Sequence, residues 1–187
     1  FQPDWVWGKR RNATSNNWVF DAVRGAGNQL VINNTNAEVT NSTEFSSFDS
    51  DGFTVTGSAG SFNTSGAPYV SFNWKANGAG VSNTDGTITS TVSANTKAGF
   101  SIATYTGNGT AGSTYGHGLD EAPELVITKQ RSNGGTNWGV YGTINPPFSA
   151  NSKYLHFNSN IALGTASGNK LSTTSTVVSI DASGGDL

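Results

Sequence analysis

Pro68-Tyr69-Val70-Ser71-Phe72-Asn73-Trp74-Lys75 alternates apolar and polar side chains without a break. Val70, Phe72 and Trp74 fall on one side of an extended chain, and Tyr69, Ser71, Asn73 and Lys75 on the other. A period of two is the geometry of a strand with one buried face, because successive Cβ atoms point to opposite sides. The same period recurs outward in both directions: Trp18 and Phe20 alternate, as do Leu30 and Ile32, Phe100 and Ile102, and Leu155 and Phe157. Gly, Asn and Asp clusters separate these runs, and Asp51-Gly52 and Asp85-Gly86 are turn signals. The pattern predicts an all-β chain, an antiparallel β-sandwich with jelly-roll-like topology as first choice.

Composition agrees. Charged residues make up only 12% and aromatic ones 11%, which excludes a disordered chain, since such chains lack the apolar surface to offset ordering entropy. Ala, Leu, Glu, Lys and Arg do not dominate, which argues against a helical protein. The formal net charge is -2 and no basic stripe stands out, so nucleic acid is not an expected partner. No apolar run approaches a membrane span, so no membrane insertion is expected. Cys is absent, which removes disulfides and thiolate metal sites, and nothing points to a cofactor. The start, without a leader peptide or initiator Met, reads as that of a fragment or processed product.

An internal repeat organises the chain. Pro3-Asp4-Trp5-Val6-Trp7-Gly8-Lys9-Arg10-Arg11 returns as Pro123-Glu124-Leu125-Val126-Ile127-Thr128-Lys129-Gln130-Arg131, 120 residues later. The match runs without a gap to Asn17-Trp18 against Asn137-Trp138. An insertion holding Pro146-Pro147 then moves the offset to 125, where Leu30-Val31-Ile32-Asn33 meets Leu155-His156-Phe157-Asn158 and Phe53-Thr54-Val55 meets Val178-Ser179-Ile180. The expected division is residues 1–98 for a first repeat, with a Gly/Asn/Ser/Thr-rich linker over 76–98 carrying one short strand at Thr87 to Val92, and 99–187 for a second. The first repeat lacks a counterpart of the opening strand Gly99 to Thr106, and the second a counterpart of Tyr69 to Lys75. Missing strands leave sheet edges, which predicts self-association or assembly with other chains.

Beyond its periodicity, the chain resembles a repeat module of tailed-bacteriophage virion structural proteins. The resemblance rests on Phe1-Gln2-Pro3-Asp4-Trp5-Val6-Trp7, on Ser47 to Val55, Tyr69 to Ala76 and Gly99 to Gly109, and on Gly116-His117-Gly118-Leu119. It implies a virion location (tail fibre, tail spike or head decoration), a lectin-like sandwich and other virion proteins as partners. It implies no catalytic residues. Gly8 and Arg10 depart from the family pattern.

Each candidate site also has a plain structural role. His117 sits in a Gly-rich turn near Asp120 and Glu121, without a nucleophile-elbow pattern or metal-ligand spacing, and reads as a histidine bonded to backbone. His156 aligns with Val31 and is expected on a strand's outer face. No strand carries an alternating acidic pair of the kind a sandwich glycosidase needs. Asp49-Ser50-Asp51-Gly52 could hold Ca²⁺ but reads better as a side-chain-closed turn. Lys9, Arg11, Lys129 and Arg131 recur and read as charges guarding strand edges. Trp18 and Trp138 read as matching core anchors. Were the strands Tyr69 to Lys75 and Phe100 to Tyr105 neighbours, Tyr69, Asn73, Lys75 and Tyr105 would form a sugar-binding face, rings stacking on sugars while polar groups meet hydroxyls. The expected function is therefore non-enzymatic: a fibre or decoration module contributing to attachment to a cell-surface polysaccharide. The alternatives are a carbohydrate-binding module of a polysaccharide-degrading enzyme and a sandwich-fold glycoside hydrolase.

Overall fold

A computed structural model describes residues 1–40, 43–57, 62–142, 153–165 and 170–181. The Pro146-Pro147 insertion and everything after 181 lie outside the described residues. All regular structure among the described residues is β, in several antiparallel sheets with sandwich-like packing.

The first sheet is a meander of β1 (Trp5–Arg10), β2 (Asn17–Asp21), β3 (Asn28–Val31) and β4 (Val39–Thr40). A strand from further along, β7 (Tyr69–Trp74), closes it, giving the order β4-β3-β2-β1-β7. Across β1, Val6 lies opposite Phe20 on one side and Asn73 on the other. Val6, Trp18, Phe20 and Val31 turn one face of this sheet toward the hairpin β5 (Phe45–Asp49) and β6 (Gly52–Val55) and toward Phe62. Phe20 and Phe45 stack with centroids 4.5 Å apart. Both are fully buried, and each such ring contributes roughly 1.5–3 kcal/mol. Position 8 has a steric reason to be glycine. A Cβ there would lie 2.0 Å from Cζ of Phe62, so the ring of Phe62 needs a glycine beneath it.

The second half repeats this plan. A second meander comprises β12 (Leu125–Thr128), β13 (Gly139–Gly142), β14 (Lys153–His156) and β15 (Gly164–Thr165), in that order. Its companion hairpin is β16 (Leu171–Thr173) and β17 (Val177–Ile180), joined by β11 (Ser113–Gly116) in the order β11-β17-β16. Tyr115, Tyr141, Leu171 and Val178 form its core. Local hydrogen bonds match pair by pair. Lys9 Nζ donates to the carbonyl of Ser15 at 2.7 Å, and Lys129 Nζ to that of Thr136 at 3.0 Å. The amide of Asn17 donates to Asn33 Oδ1, and that of Trp138 to Asn158 Oδ1, both at 2.7 Å. Lys9 and Lys129 are therefore staples for the first loop of each meander, not charges on a strand edge.

These bonds correct the register of the repeat. Val126 lies opposite Tyr141, where Val6 lies opposite Phe20. Gly139 thus occupies the place of Trp18, and Trp138 that of Asn17. The loop before β13 is one residue longer than its counterpart, and a one-residue slip turns every side chain of a strand to its other face. Trp138 is a core anchor, but in a different core from Trp18. His156 shares the inner face with Tyr154, the ring centroids 5.3 Å apart, rather than the outer face.

Residues 76–98 are not a linker. They hold β8 (Val81–Asn83) and β9 (Ser90–Asn95), which with β10 (Phe100–Tyr105) make a sheet ordered β10-β9-β8. Ser90 and Ser93 are buried yet satisfied: Ser90 Oγ donates to the Gly116 carbonyl at 2.9 Å, and Ser93 Oγ accepts from the Asn77 amide at 2.7 Å. Small hydroxyl side chains with partners can be buried, which a composition-based reading of a linker misses.

Candidate functional site: an aromatic cleft between the two halves

Strand β1 is apolar on both sides. Val6 serves the Phe20 core, while Trp5 and Trp7 point the other way. On that other face Val19, Leu30 and Ile32 pack against Trp138, which seats the second half on the first. The indole Nε1–H of Trp138 donates to the carbonyl of Val31 at 2.9 Å.

Beside this seam the halves stand apart, leaving an open cleft of about 1590 Å³. One wall is the Trp5 face of the first sheet, and strands β10 and β12, with the segments 106–110 and 119–124, line much of the rest. A continuous row of rings crosses it. Phe157 lies 6.2 Å from Trp7, Trp7 6.2 Å from Trp5, Trp5 4.7 Å from Trp74, and Trp74 6.3 Å from Phe100. Trp74 is 38% exposed and Phe157 42%, far more than core rings allow. Leu125 and Ile127 add exposed aliphatic surface. Ser101, Thr104, Thr106 and Asn108 bring polar groups to the same space. Trp7 Nε1 is enclosed and has no hydrogen-bond partner among the described residues.

One end of the cleft is closed by charge. Glu38 bridges the halves: its Oε2 lies 2.9 Å from Arg24 Nη1 and its Oε1 2.7 Å from Arg131 Nη2. Asp21 holds Arg24 from the other side. Burial alone would raise the pKa of Glu38, but hydrogen bonds from Arg131 and Arg24 outweigh it and hold the carboxyl below its ordinary value. Arg24 is almost wholly buried and also donates to the carbonyls of Asn28 and Val19. The cluster is a latch rather than a free anion site.

The residues expected to form a sugar face are not brought together. Strand β7 pairs with β1 and β10 with β9, in separate sheets. Tyr69 and Asn73 lie on the Val6 side of the first sheet, away from the cleft. Tyr69 stacks over Phe62, and its hydroxyl accepts from the Thr64 amide at 3.1 Å. Asn73 is exposed and donates to Ser71 Oγ at 3.1 Å, and Lys75 is exposed at the strand's end. Tyr105 stacks on Tyr115 at 4.2 Å in the second core, where burial pushes its pKa up. The apolar side of Pro68 to Lys75, read as core-facing, is the side that carries Trp74 into the cleft. Trp5-Val6-Trp7 holds the missed signal, since a strand apolar on both faces has something to meet on each.

His117 is buried, and both ring nitrogens meet backbone: Nε2 lies 3.1 Å from the Thr174 carbonyl, and Nδ1 accepts from the Leu119 amide at 3.1 Å. Burial lowers its pKa, with the Thr174 bond and the charge of Asp85 acting the other way. Asp49 accepts from Thr54 Oγ1 at 2.7 Å and Ser47 Oγ at 2.8 Å, so its two oxygens close the β5–β6 hairpin.

The chain matches, over residues 1–186, the family described as Domain of unknown function (DUF7483), and it belongs to that family. Neither the curated proteins nor the solved structures yield a significant match.

Proposed function

We propose that this chain is a non-enzymatic module of a phage virion fibre or decoration, and that it contributes to host attachment by holding surface polysaccharide in the aromatic cleft. The observation that carries the reading is the row Phe157-Trp7-Trp5-Trp74-Phe100, part-exposed in a cleft that also offers hydroxyl and amide groups. Flat apolar rings match sugar faces, and nearby polar groups match sugar hydroxyls. Size points the same way. Pockets for small molecules run to roughly 300–1,000 Å³, and this cleft exceeds that at about 1590 Å³. An extended chain of residues fits such a space better than a single small molecule. The sandwich itself, with paired strands throughout, supplies a stiff mount. Repetition of such a module along a fibre multiplies weak contacts into avidity, by a factor of roughly 10²–10⁴.

The test is a glycan-array screen against bacterial and algal polysaccharides, with Trp74→Ala and Phe100→Ala beside the parent protein. The expected result is binding that falls at least tenfold in both variants and survives in Tyr69→Ala. Binding lost in Tyr69→Ala and kept in Trp74→Ala would move the site to the opposite face of the sheet.

A further inference from the structure

We infer that the outer edge of β12 pairs with the outer edge of β7 of a second copy of this chain, joining copies head to tail. Strand β1 shows what its position requires. Its outer edge is covered by β7 along the whole of Trp5–Arg10, and Trp5 and Trp7 are met by Trp74 at 4.7 Å and Phe72 at 5.7 Å. Strand β12 holds the corresponding place in the second meander. Among the described residues it pairs with β13 alone, and Leu125 and Ile127, at the positions of Trp5 and Trp7, stay 49% and 39% exposed.

Strand β7 offers the matching surface. It ends its sheet, and Phe72 is 50% exposed on the same sheet face as Trp5 and Trp7. Were the first sheet continued by β12 of a second copy, Phe72 and Trp74 would stand beside Leu125 and Ile127 as cross-strand apolar neighbours.

Edge composition leaves both strands of this pair unguarded, as it does β10, six uncharged residues at the end of its own sheet; the matching places of β12 and β1 select the pair. Sheet edges are ordinarily guarded by charge, proline, bulges or shortness. The opposite edges of the two meanders, β4 and β15, are two residues long each. The edges in question are longer, six residues in β7 and four in β12, and neither strand contains a charged residue or a proline. Each copy carries one edge of each kind, so the contact is heterologous. Such contacts propagate as open filaments unless the rotation closes a ring.

The contact draws on Trp74, Leu125 and Ile127, which also line the cleft, so its test uses no carbohydrate and is read separately from glycan binding. Sedimentation velocity is run over a wide concentration range on the parent chain, on Phe72→Lys, and on the double variant Leu125→Lys/Ile127→Lys. The parent is expected to grow from monomer into dimers and longer species. Each variant alone is expected to stay monomeric, with association weakened at least tenfold. An equimolar mixture of the two variants is expected to form dimers and stop there, because each mixed pair retains one intact β7 edge and one intact β12 edge. That recovery also shows that both variants are folded. A parent that stays monomeric throughout, a variant that still self-associates, or a mixture that stays monomeric would each overturn the inference.

Discussion

Trp138 and Val31 are joined by a buried hydrogen bond of 2.9 Å that spans 107 residues of chain. It ties the second half to the first at the floor of the cleft, where Val19, Leu30 and Ile32 pack on the same indole. Trp138→Phe keeps an aromatic ring but leaves a buried carbonyl without that donor, at a cost of about 1–3 kcal/mol. Trp138→Ala adds a cavity and brings the loss to roughly 3–5 kcal/mol. Chemical denaturation of the three proteins checks both values, and equal stability of parent and Trp138→Phe would contradict the role of the bond.

Glu38 is the second tie between the halves. Its folded-state pKa is depressed, so its stabilising contribution is present above the ordinary carboxylate range and is lost as pH falls through the lower folded value. Glu38→Gln is expected to cost about 1.5–3 kcal/mol at neutral pH, the worth of hydrogen bonds to charged groups. The gap between parent and variant is expected to close as the solution is acidified below about pH 4. A gap independent of pH would contradict the ion-pair account.

His117 gives a dependence at milder pH. Its folded-state pKa is lowered, mainly by burial, so the unfolded chain binds the proton more readily. Stability is therefore full above the unfolded value of about 6.5 and declines as pH falls below it. Thermal unfolding is expected to show a falling midpoint from pH 7 toward pH 5. His117→Gln is expected to flatten that part of the profile.

Gly8 and Phe62 form a ring-on-glycine contact in the first core. Gly8→Ala forces the ring of Phe62 away from Trp18 and Phe20, each now 5.6 Å from it, and is expected to cost about 1–3 kcal/mol as overpacking. In a Phe62→Ala background the same substitution is expected to cost little, giving strong coupling in a double-mutant cycle. Additive effects would contradict the contact.

Much of the fold is readable from alternation alone. Tyr69 to Trp74, Trp18 to Phe20 and Phe100 to Tyr105 lie in strands as their period demands. What alternation does not carry is which face meets what. Val70, Phe72 and Trp74 look like a core face, yet the sheet they join has an apolar layer on both sides, and theirs borders the cleft. Tyr105 looks like an exposed ring, yet Tyr115, from another strand, covers it. The register of Trp138 turns on one extra loop residue, which a gapless match of sequence passes over. The segment that composition marks as a connector predicts one strand at Thr87 to Val92, which overlaps β9; β8, and the burial of Ser90 and Ser93 in β9, are not legible.

The aromatic row Phe157-Trp7-Trp5-Trp74-Phe100 is proposed to bind an extended sugar chain. Its most direct test is a titration of this protein with oligosaccharides of increasing length, cut from whichever polysaccharide it retains, following intrinsic tryptophan fluorescence. The expected result is a fluorescence change whose affinity rises over several sugar units before levelling off, and which Trp74→Ala shifts to at least tenfold weaker binding. An affinity already at its limit with one sugar, or a response unchanged by Trp74→Ala, would contradict it.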